Sequence, residues 1–120
     1  MVAFHFAYGY TAIKNSRIKG RDVRASEIFN VSGEVALVTG GGAGIGFLMA
    51  RALAVNGAKV ALAGKDQQSL RAAVEAISAL GGQAVGVQLD VRIDDMIVEA
   101  FDRIETTLGP ISVLVNNAGV

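Results

Sequence analysis

From Val31 onward the apolar positions of this chain alternate between two spacings. Val35, Ala36, Leu37 and Val38 are consecutive apolar residues, the pattern of a strand covered on both faces. Residues 44–56 then read as a helix, with Ile45, Met49, Ala52 and Leu53 on one stripe and Gly57 as its stop. Lys59 to Ala63 is predicted to be a second strand. Leu70, Ala73, Val74, Ile77 and Leu80 fall at helical spacing, and Gly81-Gly82 ends that run. Val85, Val87, Leu89 and Val91 alternate with smaller or polar residues, which predicts a third strand. A third helical stripe, Ile97, Ala100, Phe101, Ile104 and Leu108, breaks at Gly109-Pro110, and Ile111 to Val115 is a fourth strand.

The order is therefore βαβαβαβ with short connections. Strands alternating with helices of this length predict an α/β fold with parallel pairing and right-handed crossovers. The expected architecture is half of a doubly wound sheet plus one strand beyond the point where the winding reverses. Residues 1–30 keep neither period, and are expected to form a poorly ordered extension ahead of a domain spanning 31–120.

Composition narrows the function classes. With 120 residues, 52% apolar and 18% charged, the chain has the material for one core and is not a disordered sequence. Its formal net charge is zero, which argues against a general nucleic-acid binder. The charge is uneven: five Lys/Arg against two Asp/Glu in residues 1–30, and six against nine in 31–120. There is no cysteine, so neither a disulfide framework nor a thiolate metal site is available. Arg51 and Lys59 interrupt the most apolar stretch, so no membrane span is expected. The start is too short and badly flanked for a secretory signal. Cytoplasmic placement is the expectation, with a mitochondrial presequence as the alternative, because Lys14, Arg17 and Lys19 precede the first acid at Asp22.

The chemistry-bearing residues cluster at two places. Thr39-Gly40-Gly41-Gly42-Ala43-Gly44-Ile45-Gly46 follows a buried strand and opens a helix. In that context glycines let backbone approach a diphosphate, and the helix start offers N–H groups and the positive end of its dipole. Gly40 suits the tight turn, while Gly44 and Gly46 remove side chains where the diphosphate and the strand come close. The second place is Asn116-Asn117-Ala118-Gly119, after the fourth strand. Together with Leu89-Asp90-Val91 between them, these motifs resemble the signature of the short-chain dehydrogenase/reductase family, over about residues 32–120.

The resemblance implies a Rossmann-type fold, present here as its N-terminal, cofactor-binding part and lacking the C-terminal half. It implies that Thr39 and Gly40 open a phosphate loop, that Gly44 and Gly46 admit the cofactor, and that Ile45 packs behind it. Asp90 would accept from the adenine amino group, with Val91 flanking the ring. Asn116 would brace the fourth strand, and Asn117, Ala118 and Gly119 would run past the nicotinamide-side ribose. At the end of the second strand Gly64 takes the place of the acid of an NAD binder and Lys65 that of a cation. Asp66 sits at a helix N-cap position. NADP is thus the expected cofactor, with NAD as the alternative.

In the family a Ser and a Tyr-x-x-x-Lys pair carry hydride transfer from later elements. Here the only tyrosines are Tyr8 and Tyr10. Tyr10-Thr11-Ala12-Ile13-Lys14 fits the spacing, but it precedes the first strand and has no helical stripe, so no catalytic residue is assigned. The expected function is the dinucleotide-binding portion of an oxidoreductase that reduces carbonyls or oxidises alcohols, without turnover by this chain alone. A non-catalytic dinucleotide-binding or interaction module, or a truncated gene product, is the alternative. A small carbonyl or alcohol would be the substrate of the complete enzyme. His5 has no partner for catalysis, and Asp94, Asp95 and Glu99 are read as helix-start acids rather than a cation site. The strand from Ile111 to Val115 is expected to present an open sheet edge through which the chain self-associates.

Overall fold

The computed structural model describes residues 2–3 and 24–119. Among the described residues five parallel strands form one sheet, in the order β1-β5-β2-β3-β4. The strands are β1 (Val2–Ala3), β2 (Val35–Thr39), β3 (Lys59–Gly64), β4 (Gln83–Gln88) and β5 (Val113–Val115). The helices are α1 (Ala25–Ile28), α2 (Gly44–Val55), α3 (Gln67–Ala79) and α4 (Asp94–Leu108).

Every residue of β2 is buried, as its continuous apolar run requires. Its side chains alternate between two cores. Ala36 and Val38, with Val60, Leu62 and Val113, face Ala50 and Ala54 of α2 and Leu70, Ala73 and Ile77 of α3. Val35 and Leu37, with Ala61, Ala63, Val87 and Leu89, face Ala100, Ile104 and Leu108 of α4. This α/β arrangement follows from the handedness of the crossovers. The chain steps outward from β2 to β3 to β4 with α2 and α3 on one face. It then returns past β2 to β5, which puts α4 on the other. Between β2 and β5 the winding reverses, and the carboxyl ends of both strands face the same crevice.

The buried face of α2 differs from the predicted stripe. Gly46, Ala50 and Ala54 are buried, while Ile45 is 71% exposed, Leu48 58% and Val55 53%, and Ala52 also faces outward. Arg51 is the helix's one charged residue, so apolar spacing could not select a face. Packing selected it: small residues at every fourth position let the helix lie close against the large side chains of β2 and β3. In α3, Leu70, Ala73 and Ile77 are buried as predicted, but Leu80 is the C-cap and half exposed.

Two strands are shorter than their apolar runs. β4 begins at Gln83 and ends at Gln88; the Leu89 N–H reaches the Gly64 carbonyl at 2.8 Å, and the Ile93 N–H then closes a turn onto the Asp90 carbonyl at 3.0 Å. Val91 therefore leaves the sheet and is 45% exposed. Before β5, Ser112 replaces ladder geometry with its side chain: its Oγ accepts the Val35 N–H at 3.0 Å and its own N–H donates to the Val35 carbonyl at 2.9 Å.

Most of the predicted extension, residue 1 and residues 4–23, lies outside the described residues, as do His5, Tyr10 and Lys14. Of its described parts, β1 pairs with the sheet, while α1 buries no residue. Val2 and Ala3 stand opposite Val113 and Leu114, so the outer side of β5 carries a strand there rather than an open edge. The unpaired amides and carbonyls of a sheet edge are the reason such a strand adds. No helix among the described residues is long and apolar enough to cross a membrane.

Candidate dinucleotide site

At the reversal point the glycine loop and the segment after β5 are tied together by two side chains. Thr39 is the one buried polar residue among those described. Its Oγ1 accepts the N–H groups of Asn117 at 3.1 Å and Ala118 at 3.0 Å, and its hydroxyl donates to the Val115 carbonyl at 3.3 Å. That uses all three hydrogen-bonding positions of a hydroxyl. In return the Asn117 Nδ2 donates to the carbonyls of Thr39 at 3.2 Å and Gly40 at 3.3 Å. Asn117, not Asn116, is the brace: Asn116 is exposed and makes no side-chain hydrogen bond among the described residues. The turn from β5 aims only one of the two adjacent amides back at the loop.

The glycines divide into separate roles. Gly40 has φ +67°, and a Cβ there would lie 2.8 Å from the Asn117 Nδ2. A Cβ at Gly46 would collide with the Gly40 carbonyl oxygen and the Asn117 amide, so this glycine lets α2 seat against the loop. Gly44 has φ +56° and open space around it; its backbone conformation, not crowding, calls for glycine. The loop opens α2 without a side-chain cap. Ala43 is its N-cap, and the Phe47 N–H makes the bond back to the Ala43 carbonyl. The N–H groups of Gly44, Ile45 and Gly46 thus have no i−4 partner within the helix. By contrast α3 is capped by Asp66, whose carboxylate accepts the N–H of Ser69 at 3.0 Å and of Gln68 at 3.4 Å as well as the Ser69 hydroxyl. These bonds, the hydroxyl first, hold the Asp66 carboxyl below the usual carboxylate range.

Beside the loop lies a cleft of about 480 Å³. Of the residues predicted for the site, Gly40, Lys65, Asp90, Val91, Asn117, Ala118 and Gly119 line it. Thr39, Gly44, Ile45 and Gly46 do not; they shape the loop beneath it, and the Ile45 side chain stands in solvent instead of against the core. Ala63, Gly64, Leu89 and Arg92 complete the lining. Lys65 is exposed and makes no ion pair among the described residues. Its carbonyl accepts from the Gln88 Nε2 at 3.2 Å, and the Gln88 Oε1 accepts from Gln67 at 2.8 Å, so the β3–α3 turn is fastened to the end of β4.

Arg92 escaped the sequence reading. It folds back on Asp90, donating from its backbone N–H at 3.1 Å and its Nε at 2.9 Å to Oδ1, and from its Nη2 at 2.5 Å to Oδ2. These bonds, with a smaller contribution from the charge of Lys65, hold the Asp90 carboxyl far below its ordinary value, and the bond to Asp90 pushes the Arg92 guanidinium up. The signal available in sequence was an arginine two residues beyond a strand-end aspartate. Asp94 and Asp95 lie in the first turn of α4, where acids complement the helix dipole.

Comparison with known proteins agrees with this geometry. Residues 34–120 match the family model described as short chain dehydrogenase. The chain is similar to gluconate 5-dehydrogenase of Gluconobacter oxydans (strain 621H), 40% identical over 94 residues, covering 78% of this chain and 37% of that relative. Among solved structures it is similar to a short-chain type dehydrogenase/reductase from Mycobacterium marinum. That match has TM-score 0.78 and 35% identity, covering 82% of this chain and 40% of the other. A metagenomic short-chain oxidoreductase solved in complex with NADP matches with TM-score 0.72 and 42% identity, covering 76% and 41%. The chain spans roughly two-fifths of the length of these proteins or slightly less. With the family model matched over residues 34–120 and the glycine loop and parallel sheet in their expected order, the chain belongs to the short-chain dehydrogenase family.

Proposed function

We propose that this chain binds NADP(H), with the diphosphate over the N-terminus of α2 and the adenosine half in the cleft between Lys65 and Asp90. The observation that carries the choice of NADP is the division of labour at the end of β3. Gly64 offers no carboxylate to a ribose 2′-hydroxyl, Asp66 is consumed as the cap of α3, and Lys65 remains as an exposed cation on the cleft wall. A 2′-phosphate suits that cation, whereas a free 2′-hydroxyl finds no carboxylate there. Asp90 accepts from the adenine amino group and Val91 lies against the ring. Asn117, Ala118 and Gly119 border the path of the nicotinamide-side ribose.

Hydride transfer to a small carbonyl, or from an alcohol, is the activity of the complete enzyme in this reading. For the chain itself the reading is dinucleotide binding, carried by the glycine loop and the cleft beside it. Calorimetric titration of the purified chain tests the assignment. Binding of NADPH about tenfold tighter than NADH, from a charge-assisted contact to the 2′-phosphate, is the expected result. Equal or reversed affinities contradict it.

A further inference from the structure

We propose that Arg92 is a positioning residue that, through Asp90, makes the nucleotide end of the cleft selective for adenine over hypoxanthine. The inference rests on the dinucleotide reading above and concerns one contact within it. Asp90 lies just past the last backbone bond of β4, on the cleft wall, with its side chain 15% exposed. The Arg92 side chain is 76% exposed. An exposed ion pair adds little to stability; its consequence lies in what it does to the carboxylate.

Counting acceptor positions gives that consequence. Each carboxylate oxygen offers two. Oδ1 takes the Arg92 backbone N–H and Nε–H, which fills it, and Oδ2 takes the Nη2–H, which leaves one. The fork also fixes the plane of the carboxylate, because two parallel bonds define an orientation that one does not. A held carboxylate with one remaining acceptor position can take one of the two N–H groups of an adenine amino group. Hypoxanthine carries a carbonyl oxygen at that ring position, and two acceptors facing each other leave the buried partner unpaired. Without Arg92 the carboxylate turns freely and must be ordered when the base arrives, which weakens the contact that distinguishes the two rings.

The test titrates the 120-residue chain with NADP⁺ and with its hypoxanthine counterpart, after circular dichroism confirms that each variant is folded. Wild type is expected to favour the adenine form by about tenfold. Arg92→Ala is expected to bring that ratio below about threefold by weakening adenine binding alone, and Arg92→Lys to restore part of it, since an ammonium donates without the fork. In an Asp90→Ala background, Arg92→Ala should change neither affinity. An Arg92→Ala variant that keeps the wild-type ratio overturns the proposal. So does an equal loss for both dinucleotides, which would mark a direct contact of Arg92 with phosphate or ring, and so does a wild type without preference. A folded wild type that binds neither compound overturns the dinucleotide reading, and this proposal with it.

Discussion

Thr39 accepts two hydrogen bonds from Asn117, 78 residues away, one on its side chain and one on its backbone. The Asn117 N–H donates to the Thr39 Oγ1 at 3.1 Å while the Asn117 Nδ2 donates to the Thr39 carbonyl at 3.2 Å. The pair joins the carboxyl ends of β2 and β5 at the point where the winding reverses. It fixes the glycine loop relative to the segment that borders the cleft.

Thr39→Val keeps the shape of this residue but strands the N–H groups of Asn117 and Ala118. The loss is expected to be about 2–3 kcal/mol, read from the urea midpoint. Thr39→Ser retains the hydroxyl and should lose about 1 kcal/mol or less, mainly the buried methyl. Equal losses for the two variants would mean that packing, not the hydroxyl, matters here.

Gly44 and Gly46 should respond differently to alanine. Gly46→Ala places a methyl against the Gly40 carbonyl and the Asn117 amide, and is expected to cost about 3 kcal/mol and abolish nucleotide binding. Gly44→Ala meets open space and pays only for its left-handed backbone, about 1–2 kcal/mol. Denaturant titration of the two variants side by side checks the ordering.

Lys65→Ala should reduce NADPH affinity by about tenfold and leave NADH affinity within about twofold. The wild-type preference should also shrink as salt rises, because Lys65 is exposed. A loss shared equally by both nucleotides would move the 2′-phosphate away from this residue.

The ion pair has a signed pH dependence. Asp90 is depressed in the folded chain, with the Arg92 hydrogen bonds as the main cause. Its stabilising contribution is therefore present above the unfolded carboxylate value, about 4, and is lost as pH falls through the folded value. Asp66, lowered chiefly by its bond to the Ser69 hydroxyl, behaves the same way. Neither group contributes a change between pH 5 and 8. Urea midpoints measured from pH 7 down to 2 should fall only below about pH 4, and Arg92→Ala should flatten part of that acid limb.

Much of this was legible in the sequence, for identifiable reasons. β2 and β3 are covered on both faces, so Val35 to Val38 and Val60 to Ala63 show as unbroken apolar runs. Leu70, Ala73 and Ile77 marked the inner face of α3 because charged and polar residues fill its other side. α2 has no such contrast, and its inner face was decided by the small size of Gly46, Ala50 and Ala54. Asn116 and Asn117 are identical in type, and only the path of the chain after β5 separates the brace from its exposed neighbour. Arg92 pairs across a tight turn with the residue two before it, a contact that no helical or strand period encodes. The short pairing of Val2 and Ala3 with β5 leaves no hydrophobic pattern either.

Titration with NADPH, followed both by heat and by the backbone amide resonances of Gly44, Ile45 and Gly46, tests the central claim most directly. Saturable binding that shifts these three amides, and that Gly46→Ala removes, is the predicted result. A folded chain that gives no heat, or binds while these amides stay unmoved, contradicts the account.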